Sequence, residues 1–340
     1  MMKSKILIYG ILVLAIIGII VFVSIYLQPT EPTLLKIEAN PTKGFYWPYY
    51  LYIPGRVWTE ADGKTYLLVE PNNSPEPSDD QSVHDEWARK RIESIGAEMA
   101  EDLGVTVLIP TFPRPKTPEF SAIGIDNETW TYSLVTQALT RDTLLTEIDG
   151  LERLDLQLIA MIDDARERLS QKRINIADKV FMMGFSTSGY FTNRFTLLHP
   201  ERVRAAAAGG TVGWDAVPLK EWNGIKLRYP VGMRDSESLV GKEFDLETFR
   251  TIPLYIYAGD QDTNDSVPHV DMYEAEDARL ILQNFGESII GRWQFRKKMY
   301  GSVGSKARFV LYPGVGHEMT DEMLSDVKAF FSEQMARSSE

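Results

Sequence analysis

The sequence has 340 residues, which is enough for one large domain or two ordinary ones. Its 36 lysines and arginines stand against 48 acidic residues, and the formal net charge of -12 argues against general nucleic-acid binding. The absence of cysteine excludes disulfides, thiolate metal sites and a cysteine nucleophile. Four histidines leave little material for a transition-metal site, so we expect neither a metal nor a cofactor.

The N-terminal segment is the most apolar part of the chain. Residues 6–27 form an apolar run interrupted only by Gly10, Gly18 and Ser24, long enough as a helix to cross a hydrocarbon core of about 30 Å. Lysines in residues 1–5 predict a cytoplasmic N-terminus, with the rest of the chain outside. No A-x-A-like cleavage site follows, so we expect an uncleaved anchor in the lipid bilayer, with cleavage and secretion as the alternative.

Residues 28–44 read as a linker and entry segment, because the prolines at its start cannot continue a helix. A single folded domain is predicted over residues 45–337. Short runs rich in β-branched and aromatic residues predict strands at 49–54, 65–69, 105–110, 179–183, 203–208, 253–258 and 307–312. Amphipathic patterns predict helices near 86–103, 151–169, 188–199, 270–285 and 320–335.

This alternation of strands and helices indicates an α/β fold with a mainly parallel sheet that is covered on both faces. The interval 211–251 interrupts the alternation of strands and helices and is long for a simple connecting loop. We expect it to form an inserted cap beside the functional site, with Trp214 and Trp222 as candidate pocket residues.

A nucleophile motif follows the strand predicted at 179–183. Gly184, Ser186 and Ser188 fit the G-x-S-x-[small] pattern of a serine on a sharp turn between a strand and a helix. The turn requires small residues two positions before and after the serine. Ser188 departs from the usual second glycine, and Gly189 follows it. Ser188 is itself a weaker alternative nucleophile, because it would lie inside the helix.

A serine hydrolase on such a scaffold needs an acid after a later strand and a histidine after the last strand, in that order. The strand at 253–258 runs into a loop with Asp260, Asp262 and Asp265, and the strand at 307–312 runs into His317. In all three blocks the chain resembles the α/β-hydrolase superfamily, over roughly residues 49–335, as a serine esterase-like and membrane-anchored member.

The resemblance implies a role for each candidate residue. It selects Asp262 as the acid, with Asp265 as the alternative and Asp260 behind it, and it selects His317 as the base that activates Ser186. The oxyanion would be held by the backbone N–H of Thr187 and by a donor in the loop after the strand at 65–69. Pro71 in that loop has no N–H, so Asn72 or Asn73 supplies the donor.

The expected function is hydrolysis of a small-molecule carboxylic ester outside the cytoplasm, without metal or cofactor. A serine peptidase of the prolyl-oligopeptidase type uses the same triad and is an alternative. A catalytically inactive binding protein on the same fold is another, since fold alone does not establish activity. The acid loop also partly fits the spacing of a calcium loop, but Asp265 stands where that loop requires glycine.

Overall fold

A computed structural model describes residues 31–116, 121–131 and 133–337. The apolar segment 6–27, and with it the predicted anchor, lies outside the described residues. Within those ranges, no helix combines the length and the apolar character that a membrane span requires.

The domain is built on one eight-stranded sheet. Its strands are β1 Thr33–Ile37, β2 Tyr49–Ile53, β3 Leu67–Val69, β4 Thr106–Pro110, β5 Val180–Phe185, β6 Val203–Gly209, β7 Leu254–Gly259 and β8 Ala307–Tyr312. They lie in the order β1-β2-β4-β3-β5-β6-β7-β8. Strand β2 is antiparallel to both of its neighbours, and all other neighbouring pairs are parallel. The sheet is therefore mainly parallel, as the alternating pattern predicts.

Strand β1 differs from the sequence expectation. Residues 28–44 read as a linker and entry segment, yet Thr33–Ile37 pairs along its whole length with β2, and Thr33 faces Ile53. Thr33, Leu34 and Leu35 are half-buried, Lys36 is exposed, and Ile37 is buried and joins the core. A mixed polar and apolar edge strand gives a weak sequence signal, because only one neighbouring strand stabilises it.

Helices cover both faces of the sheet. They are α1 Gln81–Arg91, continued by a π-helical turn Ile92–Gly96, α2 Ala97–Leu103, α3 Arg141–Leu145, α4 Leu154–Gln171, α5 Thr187–Leu198, α6 Ser236–Val240, α7 Leu246–Phe249, α8 Ala275–Phe285, α9 Ile289–Ser302 and α10 Asp321–Ala336. The described residues also form three short two-stranded ladders: Lys64–Thr65 with Asn175–Ile176, Ser121–Ile123 with Thr129–Thr131, and Glu221–Trp222 with Ile225–Lys226. Short 3-10 helices lie at Pro41–Lys43, Thr136–Ala138 and Pro200–Arg202.

Alternating side chains of β5 enter two separate hydrophobic cores. Phe181 and Met183 pack with α1, α2 and α10 on one face, whereas Val180 and Met182 pack with α4, α5, α8 and α9 on the other. Nearly every residue of the central strands is buried, which is the pattern of a sheet covered on both sides. The carboxyl ends of these strands, which point the same way, carry the loops with the candidate residues.

Trp214 of the interval 211–251 lies in the core and not in a pocket. It is fully buried, stacks on Phe285 at 4.5 Å between ring centroids, and donates its Nε1 hydrogen to the carbonyl of Val231 at 3.1 Å. Trp222 is half-buried under the ammonium group of Lys298. The pocket expected for Trp214 was wrong because the apolar residues of this interval join the hydrophobic core that includes α5, α8 and α9.

Candidate active site

Ser186 lies on a strained turn between β5 and α5. Its backbone has φ 60° and ψ −127°, a conformation that costs a non-glycine residue about 1–3 kcal/mol and persists only where its surroundings impose it. The Ser186 N–H donates to the carbonyl of Gly209 at 2.9 Å, and the Ser186 carbonyl accepts from the N–H of Tyr190 at 3.1 Å. These bonds tie the turn to β6 on one side and to α5 on the other.

Close backbone contacts explain the small residues around Ser186. A Cβ on Gly184 would lie 2.3 Å from the carbonyl oxygen of Ser188, and a Cβ on Gly189 would lie 2.3 Å from that of Gly209. Ser188 replaces the usual second glycine without penalty, since its hydroxyl accepts from the N–H of Phe185 and donates to the carbonyl of the same residue, both at 3.0 Å. That hydroxyl is committed to the backbone, and Ser188 is buried.

The structure brings Ser186, His317 and Asp262 into one hydrogen-bonded chain. Nε2 of His317 lies 2.9 Å from Oγ of Ser186, and Nδ1 lies 2.8 Å from Oδ2 of Asp262. The tautomer with hydrogen on Nδ1 satisfies both contacts, because Nδ1 then donates to the carboxylate and Nε2 accepts from the serine hydroxyl. Oδ1 of Asp262 accepts from the N–H of Asn264 at 2.9 Å, so both oxygens of this buried carboxylate are occupied.

The imidazole has two further neighbours. The ring of Phe185 lies 5.2 Å from the ring of His317 between centroids. The side-chain amide of Asn264 has its Nδ2 3.0 Å from Nε2 of His317, so it competes with the serine hydroxyl for the same lone pair. The His317 side chain is 28% exposed, which leaves it accessible from solvent.

The other two acidic candidates face different partners. Asp265 places Oδ2 2.5 Å from Nη2 of Arg292, a fully buried guanidinium, and its Oδ1 accepts from the N–H of Val267 at 3.0 Å. Asp260 accepts from the N–H of Gly314 at 2.7 Å. Of the three carboxylates in this loop, the structure therefore brings only Asp262 to the histidine.

The loop after β3 presents its two asparagines differently. Asn72 is buried and forms two hydrogen bonds with the backbone of Phe112, donating Nδ2 to the carbonyl at 2.8 Å and accepting the N–H on Oδ1 at 3.0 Å. Asn73 is exposed beside the turn, and its Nδ2 donates to the carbonyl of Phe185 at 3.2 Å. Thr187 opens α5, so its N–H has no carbonyl four residues earlier in a helix to bond. Asn72 fixes the loop, and Asn73 contacts the turn at Ser186 through the carbonyl of Phe185.

A pocket of about 310 Å³ adjoins this arrangement. Its wall is formed by the β3 loop, by one side of helix α1, and by residues next to the serine and the histidine: Glu70, Pro71, Asn72, Asn73, Trp87, Ala88, Lys90, Arg91, Ser94, Phe185, Ser188 and Met319. Sequence reasoning missed Trp87, Arg91 and Met319, because the face that a helix turns toward a site depends on its rotation against the sheet. The only available signal for Met319 was its position two residues after His317.

Within residues 31–116, 121–131 and 133–337, no group of three or more His, Asp or Glu side chains is arranged to hold a metal ion. The residues that the geometry unites are those of proton transfer and nucleophilic attack: a hydroxyl, an imidazole and a buried carboxylate.

No protein-family model matches the chain, and no curated protein matches it by sequence. Solved structures do match. A poly(aspartic acid) hydrolase-1 from Sphingomonas sp. KT-1 superimposes with a TM-score of 0.53 at 16% identity, over 90% of this chain and 98% of that one. A poly(3-hydroxybutyrate) depolymerase from Bordetella parapertussis gives 0.51 at 16% identity, over 89% and 90%. At this identity the likeness establishes a shared fold, which for these neighbours is the α/β-hydrolase fold.

Proposed function

We propose that the chain is a serine hydrolase that cleaves carboxylic esters through an acyl-enzyme. The carrying observation is the hydrogen-bonded chain from Ser186 through His317 to Asp262, with its serine on a strained turn at the carboxyl edge of the sheet. The fold shared with known hydrolases supports the same reaction class, and the depolymerase among them acts on poly(3-hydroxybutyrate), which is a polyester.

In the first half-reaction, Oγ of Ser186 attacks the acyl carbon while Nε2 of His317 takes the hydroxyl proton. Asp262 holds Nδ1–H and stabilises the imidazolium as it forms. The negative charge on the carbonyl oxygen is stabilised by the backbone N–H groups of Thr187 and Asn73. The alcohol then leaves with the proton from His317. Water attacks the acyl-enzyme by the same proton transfers and releases the acid.

The proposed location is outside the cytoplasm, on a chain held in the bilayer by residues 6–27. The support is the apolar sequence of this segment and the lysines within residues 1–5. Alkaline carbonate extraction of cell membranes, followed by protease treatment of intact cells, tests it. An anchored domain stays with the membrane fraction and is digested from outside, whereas a secreted domain appears in the medium.

Labelling with a fluorophosphonate, read by mass spectrometry of the modified peptide, tests the nucleophile. We expect a stoichiometric adduct on Ser186, no adduct in Ser186→Ala, and an adduct that is still on Ser186 in Ser188→Ala, formed more slowly because the turn loses two hydrogen bonds to Phe185. The labelled wild type should lose its activity on 4-nitrophenyl acetate. A folded wild type that neither reacts with the probe nor hydrolyses esters would favour a binding protein on this fold. A wild type that hydrolyses peptides but not esters would favour a peptidase.

A further inference from the structure

The pocket beside Ser186 has charged side chains in its wall. Three of its lining side chains carry a formal charge: Glu70, Lys90 and Arg91. Each cation has an acidic partner, because Arg91 contacts Glu70 and Lys90 contacts Glu86. A guanidinium that is paired through some of its nitrogens can still donate from the remaining one to an anionic ligand.

Arg91 is held in place by Glu70, and within the described residues one of its nitrogens remains free to donate hydrogen bonds. Its Nε donates to Oε1 of Glu70 at 2.8 Å, its Nη2 lies 2.6 Å from the same oxygen, and Nη2 also lies 3.7 Å from the sulfur of Met319. Its Nη1 has no hydrogen-bond partner in the part of the chain that the structure describes. The side chain is 27% exposed, so the two hydrogens of Nη1 are available to a ligand.

Glu70 serves as the support of this guanidinium. It directly follows strand β3, its side chain is only 3% exposed, and Oε1 is the oxygen that both Arg91 nitrogens contact. A buried carboxylate that fixes an arginine reduces the conformational entropy that the arginine would lose on binding a ligand. Lys90 is paired elsewhere, since its ammonium lies 2.8 Å from Glu86 and 5.4 Å from the Trp87 ring.

The pocket borders the serine turn and the β3 loop, because Phe185, Ser188 and Asn73 line it. We propose that an acyl group attached to Ser186 extends into this pocket, and that the pocket binds an acyl chain that ends in a carboxylate, with Nη1 of Arg91 donating to that carboxylate. This inference rests on the proposed ester hydrolysis and names its substrate class: half-esters of dicarboxylic acids.

The test compares three 4-nitrophenyl esters with the same leaving group and acyl length: the mono-ester of adipic acid, its primary amide counterpart, and the 6-methylheptanoate, which ends in an isopropyl group. The wild type should have a kcat/KM for the carboxylate at least tenfold above that for the isopropyl compound, with the amide between them. Equal values, or a preference for isopropyl, would overturn the proposal.

Variants test whether Arg91 causes the preference for the carboxylate substrate. Arg91→Gln should lower the carboxylate-to-isopropyl ratio at least tenfold. Since Arg91→Gln alone leaves Glu70 unpaired and endangers folding, the double variant Glu70→Gln/Arg91→Gln removes both charges and should also lose the preference. Loss of packing would lower both substrates together and leave the ratio unchanged, which would refute a binding role for Arg91.

Arg89→Gln is the matched control. Arg89 lies on the same helix, pairs with Glu93 at 2.6 Å and does not line the pocket. Arg89→Gln makes the same change in net charge as Arg91→Gln but leaves the pocket wall unchanged, so the carboxylate-to-isopropyl ratio should stay within twofold of the wild type. An equal fall in both variants would mean that the general field of the protein, and not a site, selects the carboxylate.

Binding without turnover separates this inference from the proposed function. Calorimetric titration of monomethyl adipate into Ser186→Ala should give saturable binding that disappears when Arg91→Gln is added. If no 4-nitrophenyl ester is hydrolysed by the wild type, the ester hydrolase proposal fails. The same titration still tests whether the pocket binds a carboxylate. Binding that depends on Arg91 would support a carboxylate site, and absence of binding would overturn it.

Discussion

Asp262 and Asp265 lie three residues apart in one loop, and their carboxylates bind different partners. Asp262 reaches Nδ1 of His317, whereas Asp265 reaches the guanidinium of Arg292. Arg292 also donates to the backbone carbonyls of Gly213, Gly286 and Glu287. One aspartate thus belongs to the proton-transfer chain, and the other fastens the loop to helix α9.

We therefore expect substitution of Asp262 to lower activity and substitution of Asp265 to lower stability. Asp262→Asn should lower kcat by about 10³- to 10⁴-fold with little change in stability, because the histidine loses its orienting acceptor. Asp265→Asn should lower the free energy of unfolding by about 3 kcal/mol, because it leaves a fully buried arginine without its counter-ion. Steady-state kinetics with urea unfolding of each variant measures both. A larger kinetic loss at Asp265, in a stably folded variant, would transfer the acid role to it.

The two asparagines of the β3 loop should also respond differently. Asn72→Ala removes two hydrogen bonds to Phe112 and leaves the buried N–H of Phe112 without its acceptor, while the Phe112 carbonyl keeps a bond from Gln137, so we expect a loss of about 2 kcal/mol in the free energy of unfolding. Asn73→Ala removes one exposed side-chain bond and keeps the backbone N–H, so the loss should stay below about 1 kcal/mol. Urea unfolding compares them. Equal losses would show that Asn72 does not hold the loop.

Gly184 should tolerate no side chain. Gly184→Ala places a methyl group 2.3 Å from the backbone oxygen of Ser188, and the turn must shift to relieve the contact. We expect a loss of about 1–3 kcal/mol in stability and a fall in kcat, because Oγ of Ser186 moves with the turn. Thermal unfolding and ester kinetics measure the two effects.

Gly301→Ala is the control for that substitution. Gly301 lies in α9 with no atom near the place of an added Cβ, so alanine should leave activity unchanged and stabilise the helix by about 0.5–1 kcal/mol. Were Gly184→Ala as harmless as Gly301→Ala, the close packing of the turn would not be required for function.

A buried ion pair far from Ser186 predicts a pH dependence of stability. Burial would raise the pKa of Asp155, but hydrogen bonds from His199 and Arg153 outweigh it and hold the pKa at about 2, below the usual 3.8. A depressed carboxyl pKa gives stability that is present above pH 3.8 and is lost as pH falls toward 2. The contribution is about 2 kcal/mol.

Asp155→Asn should therefore flatten the acid limb of stability between pH 4 and pH 2, measured by urea unfolding at each pH. Asp163→Asn is the control on the same helix, because Asp163 is half-exposed and pairs with the surface side chain of Arg202. An unchanged acid limb in Asp155→Asn would assign the acid lability to other carboxyl groups.

The strands that carry the proposed triad were predictable from sequence, because their β-branched and aromatic composition is distinctive. Strands β5 and β7 are buried on both faces, whereas the edge strand β8 is mostly half-buried. The turn at Ser186 was predictable from the small residues that its geometry demands. Strand β1 was missed, since half-buried edge residues resemble those of a linker. Helix α9 was also missed: its buried face includes Arg292 and Arg296, and charged residues weaken the apolar pattern by which a helix is predicted.

The site itself divides in the same way. Order along the chain selected Ser186, His317 and the loop that holds Asp260, Asp262 and Asp265, and the family resemblance favoured Asp262 within that loop. The choice between Asp262 and Asp265 needed coordinates, because both follow the same strand and only a side-chain direction separates them. The role of Trp214 was misjudged for a related reason: an aromatic residue in an irregular segment fits a pocket wall or a core equally well by composition.

Strand β2 runs against its neighbours, and this reversal determines where the chain enters the domain. Because β1 is antiparallel to β2, it points the same way as the strands that end at Ser186, Asp262 and His317. Thr33 consequently starts at the amino edge of the sheet, on the far side from those loops. Any attachment of the chain ahead of Thr33 is therefore made at the edge of the sheet opposite the loops that carry Ser186, Asp262 and His317.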